Sequence, residues 1–210
     1  MTGLLISALA MVGASAVAQT VDLGGNQTIY PAQSLTTLGY GYTQSALGGW
    51  PAPMVADVLI ISWDGGGAGM PDYTAHLNSG RHVLIIGGSG TTDYALGIHA
   101  LLPNSYTGWH QSSGCINDWT ATNAHASTQY LPATHEFSDQ TSSYHMMHFN
   151  VAQDPATILL GTTCEGVPNH VAAIRTYANN GLLMYMGFDV GNYGAEPALS
   201  GFLTPLIRGF

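Results

Sequence analysis

Short apolar runs that end in glycine punctuate this chain. Residues 55–62 (VADVLIIS) lead into Trp63-Asp64-Gly65, residues 82–86 (HVLII) into Gly87-Gly88-Ser89-Gly90, and residues 182–188 (LLMYMGF) into Asp189-Val190-Gly191. Residues 156–160 (ATILL) end at Gly161 in the same manner. Runs of this length, bounded by turn formers, read as strands buried on both faces, the pattern of a parallel sheet.

Between them the period changes to that of a helix. Residues 73–78 run to Gly80 as a stop. Residues 92–102 place Leu96, His99 and Leu102 at helical spacing before Pro103. Residues 168–178 start on Pro168, align Val171, Ile174 and Ala178, and stop at Asn179-Asn180-Gly181. Strand, helix, strand alternation predicts parallel pairing through right-handed crossovers, hence a three-layer α/β sandwich with a mostly parallel sheet. Residues 106–143 break the rhythm and read as a polar, aromatic, turn-rich insertion near the carboxyl edge of the sheet. Residues 144–151 (YHMMHFNV) then read as a strand, antiparallel at an edge.

Composition narrows the function classes. The chain has 210 residues, a length that suits one domain, and 46% of them are hydrophobic, enough to build a core. Charged residues make up only 7%, against roughly a quarter in ordinary soluble domains. The formal net charge is −9, and the only strong cations are Arg81, Arg175 and Arg208. Three scattered arginines cannot replace the counterions condensed on a phosphate backbone, so nucleic acid is excluded as a partner. The chain contains no lysine. That removes Schiff-base chemistry and the lysine of a nucleotide-binding P-loop, and no cofactor is expected.

The start of the chain changes where this domain is expected to act. Residues 4–18 form an apolar, small-residue run ending Ala16-Val17-Ala18, like the core and cleavage site of a signal peptide, although no Lys or Arg precedes it. Residues 1–18 therefore read as a signal peptide and residues 19–210 as a single domain, which is secreted, on the cell surface or periplasmic. No later run is long enough to span a membrane. In an oxidising compartment Cys115 and Cys164 are expected to pair, which would constrain the unfolded chain by about 4 kcal/mol; two separate thiols are the alternative.

Several residues invite chemical readings. Gly87-Gly88-Ser89-Gly90-Thr91 after a strand falls one residue short of the nucleophile elbow G-x-S-x-G. Ser89 would need a histidine base oriented by an acid, and His170, with Glu165 or Asp189, is the candidate supplier. Otherwise the glycines let the backbone turn and Ser89 caps the next helix. Gly65–Gly69 (GGGAG), next to Asp64, could cradle an anion but lacks the spacing of a dinucleotide fingerprint, so a turn at the strand end is the simpler reading. His110, His125 and His135, with Asp118, Glu136 or Asp139, would have to converge to hold a divalent ion. No ligand spacing supports this, and no metal is expected. Tyr106, Trp109, Trp119 and Tyr130 combine flat rings with neighbouring Asn, Asp and Gln, which suits stacking on sugars; a satellite core beneath a loop is the alternative.

Leu38-Gly39-Tyr40 before a short strand, ADVLIISWDGG, RHVLIIGGSG, NAHASTQYLPATHEF and GLLMYMGFDVGNYG together resemble the class I glutamine amidotransferase-like superfamily, and more specifically its secreted and trehalose-utilisation-like relatives. The resemblance implies a flavodoxin-like frame. It also implies a cysteine on the sharp turn after a central strand, and a histidine and an acid after a later one. Here the turn after HVLII carries no cysteine, and no histidine follows His170. The expectation is therefore a module without amidotransferase activity, binding glycans or assembling with copies of itself. The alternative is a secreted hydrolase built on Ser89 or Asp64 with His170, or around a metal, at the carboxyl ends of the strands. Candidate catalytic residues are thus Ser89, His170 and Asp189, and candidate ligand contacts Asp64, Trp109, Trp119 and Tyr130.

Overall fold

The computed structural model describes residues 19–25, 28–45, 55–62, 71–86, 101, 106–110, 118–121, 125–131, 134–136, 146–149, 157–164, 167–186 and 197–210. The first five elements are β1 (Val21–Gly25), α1 (Ile29–Leu38), β2 (Tyr42–Gln44), β3 (Val58–Ser62) and α2 (Thr74–Asn78). They are followed by β4 (His82–Ile86), β5 (Tyr106–His110), β6 (Asp118–Ala121), β7 (Thr134–Glu136) and β8 (Met146–Phe149). The long strands β9 (Thr157–Cys164) and β10 (Val167–Thr176), then β11 (Leu182–Met186) and a final helix α3 (Pro197–Gly209), complete the described chain.

Among the described residues one nine-stranded sheet, in the order β2-β1-β3-β4-β11-β10-β9-β6-β7, dominates the fold. Its first five strands pair in parallel. With β11 counted as the fifth parallel strand, their order is the 2-1-3-4-5 of the flavodoxin-like frame. The three runs read as buried parallel strands at 55–62, 82–86 and 182–188 became β3, β4 and β11. Their alternate residues face two separate layers. Val58, Ile60, Leu84, Ile86, Met184 and Met186 pack with Leu35 of α1 and Leu203, Leu206 and Ile207 of α3. Leu59, Ile61, Val83, Ile85 and Tyr185 point the other way, where Tyr73 and Leu77 are fully buried at α2. Gly39 ends α1 at φ 74°, and its N–H bonds the Leu35 and Thr36 carbonyls, the left-handed cap that only a residue without Cβ adopts cheaply.

Beyond β11 the sheet departs from expectation. Residues 168–178, expected as a helix, belong instead to β10, which runs antiparallel to both β11 and β9. Two features explain the misreading. The pairing Val167↔Cys164 leaves only Glu165-Gly166 between the strands, a hairpin spacing rather than a helix start. The register also slips between His170 and Ala172, so Val171 is an extra residue that breaks the period of two and leaves a helix-like spacing. Residues 156–160 were expected to join the parallel sheet, but β9 is antiparallel to β10 and β6. The expected strand at 144–151 is β8 and is antiparallel, although it pairs with β5 in a separate two-stranded sheet. The insertion at 106–143 thus supplies strands to both sheets. Of the expected helix at 92–102, Leu101 is described and is helical; its carbonyl accepts bonds from Arg175 at 2.7 Å and from the Tyr177 hydroxyl. The leader, 1–18, lies outside the described residues. Among those described, no helix is long and apolar enough to cross a membrane.

At the entry to the sheet, a half-buried histidine makes a pH-sensitive contact. His82 Nδ1 accepts the Leu182 N–H at 3.0 Å, joining the starts of β4 and β11, and its ring meets Phe210 edge-on at 5.7 Å. Burial lowers its pKa below the ordinary 6.5, with the nearby Asp57 carboxylate opposing the shift. A depressed base stays neutral in the folded protein while the unfolded chain takes up a proton. Its contribution is therefore intact above about 6.5 and declines as pH falls below that value toward the folded pKa. The urea midpoint should fall between pH 7.5 and 5.0, and less so in His82→Asn, whose Oδ1 keeps an acceptor without titrating in this range. His82→Leu should cost about 1–3 kcal/mol by orphaning the Leu182 N–H. Equal pH slopes in wild type and His82→Asn would remove His82 as the source.

Candidate functional site

In a doubly wound sheet, ligands bind outside the carboxyl ends of the strands, where the strand order reverses. Here β1 leads through α1 to β2 on one side, and the chain then returns past β1 to β3 on the other. The switch point is therefore between the carboxyl ends of β1 and β3. The last residues of four neighbouring strands, Gly25, Ser62, Ile86 and Met186, are directly paired and form one row along this edge.

At the switch point the two backbones touch. Gly25 has φ +109°, and a Cβ there would stand 1.7 Å from the Ser62 carbonyl oxygen. Ser62 is fully buried, and its Oγ has no hydrogen-bond partner among the described residues. The row thus offers glycine, a buried hydroxyl and two apolar side chains. None of the four is a titratable group that could serve as general base.

The segments expected to carry chemistry leave from this row. Asp64 follows β3, Ser89 follows β4 and Asp189 follows β11, and all three lie outside the described residues. His170 does not begin a helix; it sits on β10 opposite Gly161. Since Ala172 pairs with Met186, the last residue of β11, His170 falls just past the carboxyl end of that strand. The hairpin of β9 and β10 therefore overhangs the edge from which Ser89 and Asp189 depart. β11 separates β4 from β10, which sets those strand axes about 10 Å apart.

The aromatic candidates are carried by three different units. Trp109 lies on β5 opposite Met147 in the small sheet, whereas Trp119 lies on β6 opposite His135 in the large one. Tyr130 follows the 3-10 turn Ala126–Thr128, which packs on α3, and the Arg208 guanidinium covers one face of its ring at 4.4 Å. Phe210 next to Arg208 contacts His82, the first residue of β4, so Tyr130 belongs to the amino side of the sheet. Of the histidines considered for a metal, His125 spends Nδ1 on the Ser127 N–H at 3.1 Å, capping that turn. Cys164 closes β9 opposite Val167, and Cys115 lies outside the described residues.

Residues that the sequence pattern did not single out gather at β1. Asp22 is only 8% exposed, and its carboxylate accepts from the Thr43 hydroxyl at 3.1 Å. Tyr73 is fully buried, and burial together with the Asp22 charge pushes its phenol well above its ordinary pKa. VDLGG is itself a short run ending in glycine, but the aspartate interrupts its apolar character and hides the strand.

No protein family and no curated protein matches the sequence. Among solved structures the chain is similar to an exo-β-1,4-mannosidase from Opitutaceae bacterium strain TAV5, at 13% identity and TM-score 0.57. That match covers 93% of this chain and 36% of the mannosidase, so the chain spans about a third of that enzyme. A GMP synthase subunit-like protein from Thermoplasma acidophilum is similar at 13% identity and TM-score 0.54, over 91% of this chain and 92% of its own. A glutamine amidotransferase from Thermotoga maritima follows at 10% identity and TM-score 0.50, over 90% and 97%. Together with the 2-1-3-4-5 strand order, these similarities establish that the chain has the class I glutamine amidotransferase-like fold.

Proposed function

We propose that this chain acts outside the cytoplasm as an amidotransferase-like module without amidotransferase activity, binding glycans or assembling with copies of itself. The observation that carries this reading is the content of the carboxyl edge. In the sequence β4 is followed by Gly87-Gly88-Ser89-Gly90 with no cysteine, and β11 is followed by no histidine. A signal-peptide-like leader and a Cys115–Cys164 bridge fit the same setting. The glycan reading draws support from the indole side chains of the insertion and from the likeness to part of a mannosidase. Self-assembly draws support from a surface with few like charges to keep copies apart.

Ammonia release from glutamine by the purified protein should not exceed the buffer rate, and Ser89→Ala should change nothing in that assay. β-1,4-Manno-oligosaccharides should bind saturably in calorimetry, and Trp119→Ala should weaken binding about tenfold, as expected for loss of a stacked ring. Glutamine hydrolysis by the wild type would overturn the non-catalytic reading. If no oligosaccharide binds and size-exclusion chromatography gives a monomer at every concentration, both binding readings fail.

A second reading, a secreted hydrolase, is favoured by one placement: β10 carries His170 past the end of β11, toward the edge where Ser89 leaves. It predicts hydrolysis of activated esters that Ser89→Ala and His170→Ala each abolish.

A further inference from the structure

Toward the amino ends of the parallel strands, one face of the sheet is hollow. A cavity of about 520 Å³ lies beneath α1 and α3, floored by Ile60 and Leu84 and walled by Leu35 and Ile207. Volumes of this order are those of small-molecule sites. The floor is closed and one end is open. Leu35, Ile60 and Leu84 are at most 1% exposed, whereas Gln19, Gly39, Tyr40 and Gly41, which also line the cavity, are all exposed. The mouth is therefore the turn from α1 into β2.

Glycine keeps that mouth open. Gly39 is required by its left-handed φ of 74°. Gly41 has no such requirement: its φ lies outside the left-handed region, and a Cβ there would meet nothing within 4 Å. A glycine under neither constraint weakens the fold relative to alanine, because it leaves the unfolded chain more freedom to lose. What the missing side chain provides is unfilled space at the rim of the cavity that Gly41 lines.

The lining sets the chemistry of an occupant. None of the described residues around the cavity is charged. The three arginines are all described and none lines it, so an entering anion finds no arginine or lysine, and the net charge of −9 repels it further. A cation finds no carboxylate among the described lining. Asp22 pairs with Leu59 and faces the opposite layer, whereas Val21, Val58 and Ile60 face this one. Desolvating an unpaired charge of either sign is costly. Tyr40 and Phe210 add flat ring surface to the aliphatic walls.

We propose that this cavity binds a small uncharged arene, which enters at the α1–β2 turn and lies between the parallel strands and the two helices. The site is on the amino side of the sheet, away from the Ser89 turn, and does not depend on the proposed function. Its selectivity follows from the lining: apolar walls hold a ring system of either partner-free face, and no group inside compensates a charge.

N-Phenyl-1-naphthylamine, whose fluorescence rises in apolar surroundings, and its 8-sulfonate share one ring skeleton and differ in charge. Each is titrated into the full chain at pH 8, where ordinary histidines are neutral. The uncharged probe should saturate one site per chain, and the sulfonate should bind at least about tenfold more weakly. Gly41→Trp has room to place its ring across the mouth and should abolish binding, while Gly41→Ala should leave it nearly unchanged. Far-ultraviolet circular dichroism checks that each variant is folded, and the two probes on wild type decide the proposal even where Gly41→Trp does not fold. It is overturned if the uncharged probe shows no saturable binding, or if the sulfonate binds equally well, as it would to a loosely packed apolar surface. Binding that survives in folded Gly41→Trp also overturns it. So does a stoichiometry that falls as protein concentration rises, which would mean that a second copy fills the cavity.

Discussion

Gly25→Ala should lower the stability of this protein by about 3–5 kcal/mol, the sum of a strained backbone and a forced displacement. The backbone of Gly25 sits at φ +109°, a region that residues with a Cβ rarely enter, and this strain alone costs about 1–3 kcal/mol. The added methyl would also stand 1.7 Å from the Ser62 carbonyl oxygen, with the Ser62 carbonyl carbon at 2.6 Å. Both obstacles are backbone, so relief requires β1 and β3 to separate at the switch point. For a chain of this length, the melting temperature should drop by roughly 10 °C. Gly41→Ala is the matched control. It lies in open space with φ outside the left-handed region, and should stay within about 0.5 kcal/mol of wild type. If urea unfolding finds the two variants equally stable, β1 and β3 do not close on one another as described. The consequence reaches function, because the same contact sets the separation of the strands from which any carboxyl-edge site departs.

The parallel half of the sheet was legible because its strands are buried on both faces and must be nearly all apolar. β3, β4 and β11 announce themselves as VLIIS, HVLII and LLMYM between turn residues. β1 was harder, since Asp22 stands where the other runs have a valine or leucine. The antiparallel half was misread for a different reason. Strands there are read by a period of two, and the irregular register at Val171 destroys that period where β10 leaves β11 and continues along β9. Local spacing then imitates a helix, and only the open edge of β11 decides otherwise. Candidate sites were legible to a lesser degree. Sequence pattern brought Ser89, Asp64 and Asp189 to strand ends and linked His170 to them through the wrong element. The pairing of β10 with β11 and β9 puts His170 just past the carboxyl end of β11, a placement across strands that no local pattern reveals. Tyr130 was grouped with the indole side chains by proximity in sequence, yet the chain turns it toward α3 and Arg208.

Leu206→Ala, in the final helix, should cost about 2–5 kcal/mol. The side chain is fully buried in the cluster shared by α1, α3 and the parallel strands, where Leu203 and Ile207 flank it. Nothing in the sequence pattern assigned a helix to residues 197–209, because Pro205 interrupts the apolar spacing. Proline removes one intrahelical donor and disfavours a helix interior by about 3 kcal/mol. A helix that persists despite this must draw its stability from the face it buries, so the apolar contacts at 203, 206 and 207 should be more costly to lose than the helix's own propensity suggests. Arg208 is exposed on the same helix and contacts only the Tyr130 ring among its described aromatic neighbours. Arg208→Ala should therefore cost no more than about 1 kcal/mol. Urea unfolding of the two variants discriminates between burial and surface contact as the reason α3 forms. If Arg208→Ala proves the more destabilising, the helix is held by its cation and not by the sheet. The cavity of about 520 Å³ beneath α1 and α3 would then lack the rigid wall that Ile207 and Phe210 give it.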